Sequence, residues 1–381
     1  MVETTKTNIG AAPSIETSTL DRFFLLNQDG RFVALEGLRA WAILSVFSVH
    51  FNADWSARKL DHPGLSRLIS SITFGHLGVD LFFVLSGFLI YRLVTIKKPG
   101  FVPFILNRYE RLLPAHVAIT LLGMTTSSLL ANLANITFLN YFFPALPALN
   151  FITWSLSYEI LFYVICAFSL ISSKCHLPGK LWLCLVAACF LLSYFTLPVE
   201  LFGDKSKYRM PDVRFMGFFA GVAAAMFYET ELYRKSQTTI SVLGIAGLLL
   251  CVFLSRYVWG YHYADVIKPP FISLFYLASD IGFAFICLAA VTPSTNLIKR
   301  CFSLKPLRIM GIVSYSFYLS HAIISIPIAN RITDQFDQLR IYGLSFLLSL
   351  AVAFLISTYL FHYLEKPYFK NRSVPRSDDM R

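Results

Sequence analysis

The stretch Arg39-Ala40-Trp41-Ala42-Ile43-Leu44-Ser45-Val46-Phe47-Ser48-Val49-His50 decides how this chain is read, because nothing ionisable separates its arginine from its histidine. At about 3.6 residues per turn, eleven positions make just over three turns, so both side chains share one helix face, roughly 16 Å apart along the axis. An apolar run of this kind belongs in a bilayer. There a permanent cation near one surface and a titratable base deep in the same helix are costly to keep, and by default they mark function. The bland reading is a histidine hydrogen-bonded inside a helix bundle.

Composition agrees on the solvent. Hydrophobic residues make up 56% of the chain and charged residues 14%, against about 25% charged in soluble domains. Apolar runs of about 20 residues predict an all-α polytopic membrane protein, a bundle of about ten transmembrane helices. They fall near 38-54, 76-96, 112-131, 151-172, 181-198, 213-228, 239-255, 271-291, 311-329 and 341-362, of which the sixth, seventh and ninth are shortest or richest in small and polar residues. Residues 1-31 are expected to be a flexible cytoplasmic tail without a cleavable signal peptide, Leu20 to Leu26 forming at most a surface-lying turn of helix. Residues 368-381 read as a basic cytoplasmic tail. No second domain is expected after the tenth span.

The loops orient the bundle. With the amino terminus inside, the cytoplasmic segments carry 20 Lys and Arg and the opposite side 10, while Arg39, Arg92 and Arg214 stay within spans. That excess puts both termini in the cytoplasm. The net charge of +11 is then a signal of topology and lipid headgroups, and nucleic acid is not an expected partner. The seven cysteines fall in spans or cytoplasmic loops, away from any exported disulfide. No metal-ligand spacing, phosphate-binding glycine loop or internal repeat is found.

Depth then sorts the polar residues. The first span rises from the cytoplasm, so Arg39 lies near the inner surface and His50 in the outer half. The second returns through His76 and Asp80, one turn apart, and brings Asp80 to a depth similar to that of His50. A carboxylate there would fix the imidazole's tautomer and stabilise its protonated form, as a general base requires. Asp80 could equally pair with another interior group. Glu159, in Trp154-Ser155-Leu156-Ser157-Tyr158-Glu159, and His321, at the end of Ser314-Tyr315-Ser316-Phe317-Tyr318-Leu319-Ser320-His321, also land near mid-membrane. Four ionisable groups from four spans thus converge on one layer. Ser86 and Gly87 read as a close helix-packing face.

On the cytoplasmic side, Asn107-Arg108-Tyr109-Glu110-Arg111-Leu112-Leu113-Pro114 carries two arginines three apart. Two forked guanidiniums side by side suit a phosphate or pyrophosphate, and an ordinary basic flank on lipid headgroups is the alternative. Arg39 on the same side favours a polyphosphorylated ligand whose far end reaches the buried histidine.

Taken in order, these elements resemble the membrane-bound acyltransferase-3 family, the type that O-acylates surface polysaccharides and antibiotics, over roughly residues 32-367. The matching elements are Leu35-Glu36-Gly37-Leu38-Arg39 with His50; Gly78-Val79-Asp80-Leu81-Phe82-Phe83-Val84-Leu85-Ser86-Gly87-Phe88; Arg108 and Arg111 before Pro114; Trp154 to Glu159; Ser314 to His321; and Glu365-Lys366-Pro367. Glu36 stands where the family often has aspartate, and Ile160 where a second acidic residue often follows the first. The resemblance implies a ten-helix enzyme of the plasma membrane, in a bacterium the inner membrane. It implies transfer of acyl groups, commonly acetyl, from cytoplasmic acyl-coenzyme A to acceptors that are often glycans on the far side, or lipid-linked saccharides or small molecules. The hydrolase-like domain fused to some relatives is not expected here, nor is any permanently bound cofactor or metal. His50, Asp80, Glu159 and His321 would be the catalytic set, and Arg39, Arg108 and Arg111 the donor-binding set.

A thioester is already activated, so such a protein needs mainly to juxtapose hydroxyl and thioester and to accept a proton. The residues alone leave open whether His50 acts as base or forms an acyl-histidine. They also leave open a transporter or flippase of glycan intermediates, although the missing repeat and the arginine cluster argue against it. A non-enzymatic membrane receptor gives no reason for four buried ionisable groups.

Overall fold

A computed structural model describes residues 19-26, 32-57, 75-123, 129-140, 149-172, 178-196, 213-260, 271-333 and 338-373. The chain divides into two units at Arg31 and Phe32. In the first, Thr19–Phe24 forms the short helix α1, with the rings of Phe23 and Phe24 edge to face.

The second unit is built from helices, with no strand among the described residues. In chain order they are α2 (Val33–Ala57), α3 (Gly78–Lys97), α4 (Phe101–Gly123), α5 (Leu129–Ile136), α6 (Trp154–Ser172), α7 (Gly179–Thr196), α8 (Met216–Tyr228) and α9 (Glu231–Lys235). There follow α10 (Gln237–Gly260), α11 (Phe271–Ala290), α12 (Leu297–Phe302), α13 (Lys305–Ile312), α14 (Ser314–Ser320), α15 (Ile326–Thr333), α16 (Gln338–Leu360) and α17 (Lys366–Ser373). Two wide π-type turns join the late helices, His321–Ser325 between α14 and α15 and Phe361–Glu365 between α16 and α17. In them the backbone N–H of Ile326 bonds to His321 O, and that of Lys366 to Phe361 O, five residues back.

Among the described residues, six helical stretches are long and apolar enough to cross a membrane: Val33–Asp54, Gly75–Lys97, Phe151–Ile171, Gln237–Ser255, Ser273–Ala290 and Tyr342–Phe369. A seventh is the pair Lys305–Ile312 and Ser314–Ile332 if it is one span bent by 58°. The protein is an all-helical, multi-pass membrane protein. The sequence expectation of ten spans is met only in part, for identifiable reasons. Gly179–Leu192 and Val213–Tyr228 are apolar but short. Where a loop at 97-111 and a span at 112-131 were expected, α4 begins at Phe101 and ends at Gly123, so the arginine pair rides on the same helix as the apolar run that follows.

Close packing sets the helix positions. A Cβ at Gly87 would lie 2.0 Å from Phe218 O, and one at Gly221 2.0 Å from Val84 O, so α3 and α8 touch backbone to backbone as small residues permit in lipid. Across α2 and α13, Arg308 Nε donates to Glu36 Oε2 at 3.0 Å. Phe83, Phe162 and Phe218 form a stacked aromatic column in the core between α3, α6 and α8, with ring centroids 4.4 and 4.5 Å apart.

Candidate active site

His50, on α2, and His321, at the end of α14 and fully buried, meet inside the bundle. His50 Nδ1 lies 2.7 Å from His321 Nε2, the rings stacked at 19° with centroids 5.0 Å apart. His321 Nδ1 in turn lies 2.8 Å from Tyr318 O and 3.1 Å from Phe317 O. Carbonyls only accept, so this nitrogen carries the proton. Neutral His321 therefore presents an accepting Nε2, and His50 must donate from Nδ1. The lone pair of His50 is left on Nε2, the state a general base or nucleophile needs. His321 fixes the tautomer of His50 and is itself held by its own helix.

Asp80, expected to orient His50, is occupied elsewhere. Arg214, just ahead of α8, donates from Nε to Asp80 Oδ1 at 3.0 Å and from Nη2 to Oδ2 at 2.8 Å, and Nη2 also reaches His76 O at 2.9 Å. The Asp80 side chain is fully buried and that of Arg214 is 13% exposed. The guanidinium lies over Trp154 at 4.9 Å and Tyr276 at 5.2 Å. This clamp pins α3 to α8 and holds Trp154, the first residue of α6, through its ring. Tyr318 OH, hydrogen-bonded with Ser155 Oγ at 2.7 Å and donating to Ile152 O, fixes the same corner against α14.

Glu159 belongs to a second cluster, nearer the other end of α2. Its Oε1 accepts from Tyr163 OH and, at 3.4 Å, from Ser86 Oγ. Arg39, Arg111, Glu159 and Glu365 lie close enough to act on one another electrostatically. Ser316 Oγ donates to Glu365 Oε1 at 2.5 Å. Arg108, buried, reaches Tyr368 OH at 3.5 Å, and Arg111 packs over the Phe369 ring. The Nε atoms of Arg108 and Arg111 are both buried without a hydrogen-bond partner, an arrangement that a bound anion would satisfy.

A small, partly open pocket of about 50 Å³ borders both regions. Its wall includes Arg39, Ser86 and Glu159 at one end and Ser155 and Tyr318 at the other, and the ring of Tyr318 stands 5.9 Å from that of His321. No group of three His, Cys, Asp or Glu among the described residues is placed to hold a metal.

Residues 32–361 match the acyltransferase-3 family, described as an acyltransferase domain. The chain belongs to this family. Similar curated proteins include the peptidoglycan O-acetyltransferase OatA of Listeria monocytogenes, 26% identical over an aligned length of 373, covering 89% of this chain and 56% of that protein. The O-acetyltransferase OatA of Staphylococcus aureus is 25% identical over an aligned length of 379, covering 88% of this chain and 57% of that protein. The putative peptidoglycan O-acetyltransferase YrhL of Bacillus subtilis is 26% identical over an aligned length of 388, covering 89% of this chain and 55% of that protein. The chain thus spans a little over half the length of these relatives. No solved structure matches it. The family match contains the histidine pair, the Asp80 clamp and all three expected donor-binding arginines, and stops short of Glu365 and Tyr368.

Sequence reasoning brought His50 and His321 to one layer without pairing them, and it set Asp80 beside His50 where Arg214 holds it. Arg214 carried a signal, being a lone cation inside an expected span, where a buried partner is required. Glu365 was visible as part of Glu365-Lys366-Pro367, but only the fold shows it turned toward the arginines.

Proposed function

We propose that this protein is an integral membrane O-acyltransferase, moving an acyl group, acetyl foremost, from cytoplasmic acyl-coenzyme A to a hydroxyl of an envelope glycan. Peptidoglycan is the acceptor in the names of its relatives. The observation that carries the reading is a histidine whose Nε2 lone pair is fixed by its partner, with a pocket lined by Arg39, Glu159 and Tyr318 nearby, the Tyr318 ring 5.9 Å from that of His321. The eleven positions from Arg39 to His50 rise roughly 16 Å, a span an extended pantetheine arm can thread while its nucleotide stays with the arginines.

In the reaction, His50 Nε2 takes the proton of the acceptor hydroxyl as that oxygen attacks the thioester carbon. The carbon–sulfur bond then breaks, and the departing thiolate recovers the proton from His50. His50 keeps its Nδ1–H on His321 throughout, so the imidazolium is stabilised without turning. Such proton transfer contributes about 10²–10⁴-fold in rate. Arg108 and Arg111 bind the phosphates, and Arg39, balanced by Glu159 and Glu365, lies where the arm enters. The two-to-one excess of Lys and Arg on the side of the termini supports a cytoplasmic donor side.

The test uses sealed vesicles of oriented protein. Acetyl-coenzyme A supplied only on the Arg108 side, and acceptor only on the other, should give acetylated acceptor. Single cysteines at 132-150 should react with impermeant thiol reagents from outside, and cysteines near Lys97 only after the membrane is opened. Transport of unmodified glycan without thioester cleavage would establish a flippase instead. Transfer that requires both substrates on the Arg108 side would rule out the through-membrane path.

A further inference from the structure

Three arginines fall inside the expected spans, and two of them meet carboxylates. Arg214 is clamped to Asp80 at 2.8 Å, and Arg39 lies within electrostatic reach of Glu159 and Glu365. Arg92, on α3, meets rings instead. Its guanidinium carbon stands 4.5 Å from the ring centre of Tyr228, 5.3 Å from that of Phe32 and 5.9 Å from that of Phe88. Among the described residues its side chain makes no hydrogen bond or ion pair, and Glu229, the residue after Tyr228, is engaged with Lys180 at 3.4 Å.

The rings are braced around the cation. Phe32, Phe88 and Tyr228 meet pairwise edge to face, with centroids 5.8 to 5.9 Å apart. Tyr228 leans on Tyr233 at 4.9 Å, and buried Tyr233 donates to Leu288 O at 3.1 Å. Aromatic faces offset the charge of a guanidinium, but they do not accept its N–H donors as an oxyanion does. A cation held in place with its donors still available is a preorganised anion site.

Its depth selects the anion. Arg92 lies five residues before Lys97, the last residue of α3, or about 7.5 Å along the axis. Phe32 immediately precedes α2 and Tyr228 ends α8, so the cage is assembled at helix ends. A long arginine side chain this close to the end of a span reaches the layer of lipid phosphates. The way to that layer is open: Arg92 is half-buried, Ile96, one turn further along the same face, is 63% exposed, and Lys97 and Lys98 beyond it are exposed and add to the positive field.

We propose that Arg92, in its cage of Phe32, Phe88 and Tyr228, binds the phosphodiester of one glycerophospholipid in the leaflet at that end of α3. The bound phosphate ties α3 to α2 and α8 through the shared rings. The site stands apart from the transfer reaction and does not depend on it. The phosphates of coenzyme A carry the same chemistry, so the test separates the two sources.

Thermal unfolding of the delipidated full-length protein in detergent, titrated with dioleoylphosphatidylglycerol, tests the site. The wild type should be stabilised saturably by this phospholipid and not by dioleoylglycerol, which has the same chains and no phosphate. Arg92→Gln should weaken the apparent affinity about tenfold or more. Arg92→Lys, which keeps the charge and loses the fork, and Tyr228→Leu, which opens the cage, should weaken it by smaller factors. Equal affinity of Arg92→Gln and wild type, or equal stabilisation by dioleoylglycerol, would overturn the site. Should Arg92→Gln yield no folded protein, the decision passes to Arg92→Lys and Tyr228→Leu, and unchanged affinity in both overturns it. Stabilisation by coenzyme A that competes with the phospholipid and is lost in the Arg92 variants would assign this phosphate to the donor and overturn the lipid site.

Discussion

Replacing Asp80 by Asn should damage the fold before it damages the chemistry. Asp80 is fully buried and receives two hydrogen bonds from one guanidinium, which also reaches His76 O and lies against two aromatic faces. Removing one partner from such a pair strands the other charge in a medium that solvates it poorly, at a cost of about 3–5 kcal/mol. Arg214→Gln should cost a similar amount. The double variant Asp80→Asn with Arg214→Gln leaves no stranded charge and should cost little more than either single change, giving a coupling of about 3 kcal/mol in a double-mutant cycle. The assay is unfolding in detergent followed by near-ultraviolet circular dichroism, with turnover normalised to the folded, monodisperse fraction. Turnover per folded molecule should fall modestly, through displacement of Trp154 and Ser155 beside Tyr318. An unchanged unfolding midpoint in Asp80→Asn, together with a large loss of kcat, would refute the clamp and return Asp80 to His50.

His50→Ala should lower kcat about 10²–10⁴-fold in a protein that still folds and inserts, and His321→Ala should do so less severely, as expected when the proton acceptor survives but its tautomer is no longer fixed; equal activity of His321→Ala and wild type in a transfer assay would contradict the relay. Arg108→Lys and Arg111→Lys should each raise the KM for acetyl-coenzyme A despite keeping the charge, because an ammonium lacks the forked donor pair; full activity in both, with loss only on Ala substitution, would reduce the pair to headgroup contacts. Gly87→Leu should abolish monodisperse expression, since even a Cβ would meet Phe218 O at 2.0 Å, whereas substitution at Gly343, where a Cβ meets nothing within 4 Å, should leave the elution profile unchanged.

How much of this was legible depends on which physical rule was at work. The cost of an ionisable group in lipid is independent of its neighbours, so Arg39, His50, Asp80, Glu159 and His321 stood out from their apolar surroundings alone. Partnership is different, because it depends on the order of helices around the bundle. Arg214 lies 134 positions from Asp80 and His321 lies 271 from His50, and nothing in an apolar span states which neighbour it will have. Ser86 and Gly87 show the limit at single-residue scale. Both were read as one packing face, and Gly87 does meet Phe218, but the next position is about 100° round the helix, and Ser86 turns to Glu159 and the cavity. The helix carrying Arg108 and Arg111 begins at Phe101, ahead of the span expected at 112-131, so the charged pair runs on into the apolar stretch.

The two wide turns in the late helices have a consequence for what changes the gene can tolerate. Each holds one residue more than ordinary helix of the same rise would need, and one residue is worth about 100° of rotation. The turn at His321–Ser325 lets the chain before it aim a ring at His50 while the chain after it aims Asn330 Nδ2 at Asp54 Oδ2. An in-frame loss of one codon there would let the helix close into regular form. It could then preserve one of those directions, never both. Length is therefore the constrained quantity at this place: exchanging half-buried Ile323 for another apolar residue should be borne easily, while deleting it should uncouple the two contacts. The same holds at Phe361–Glu365, where a lost codon would set the Glu365 contact with Ser316 against the seating of α17.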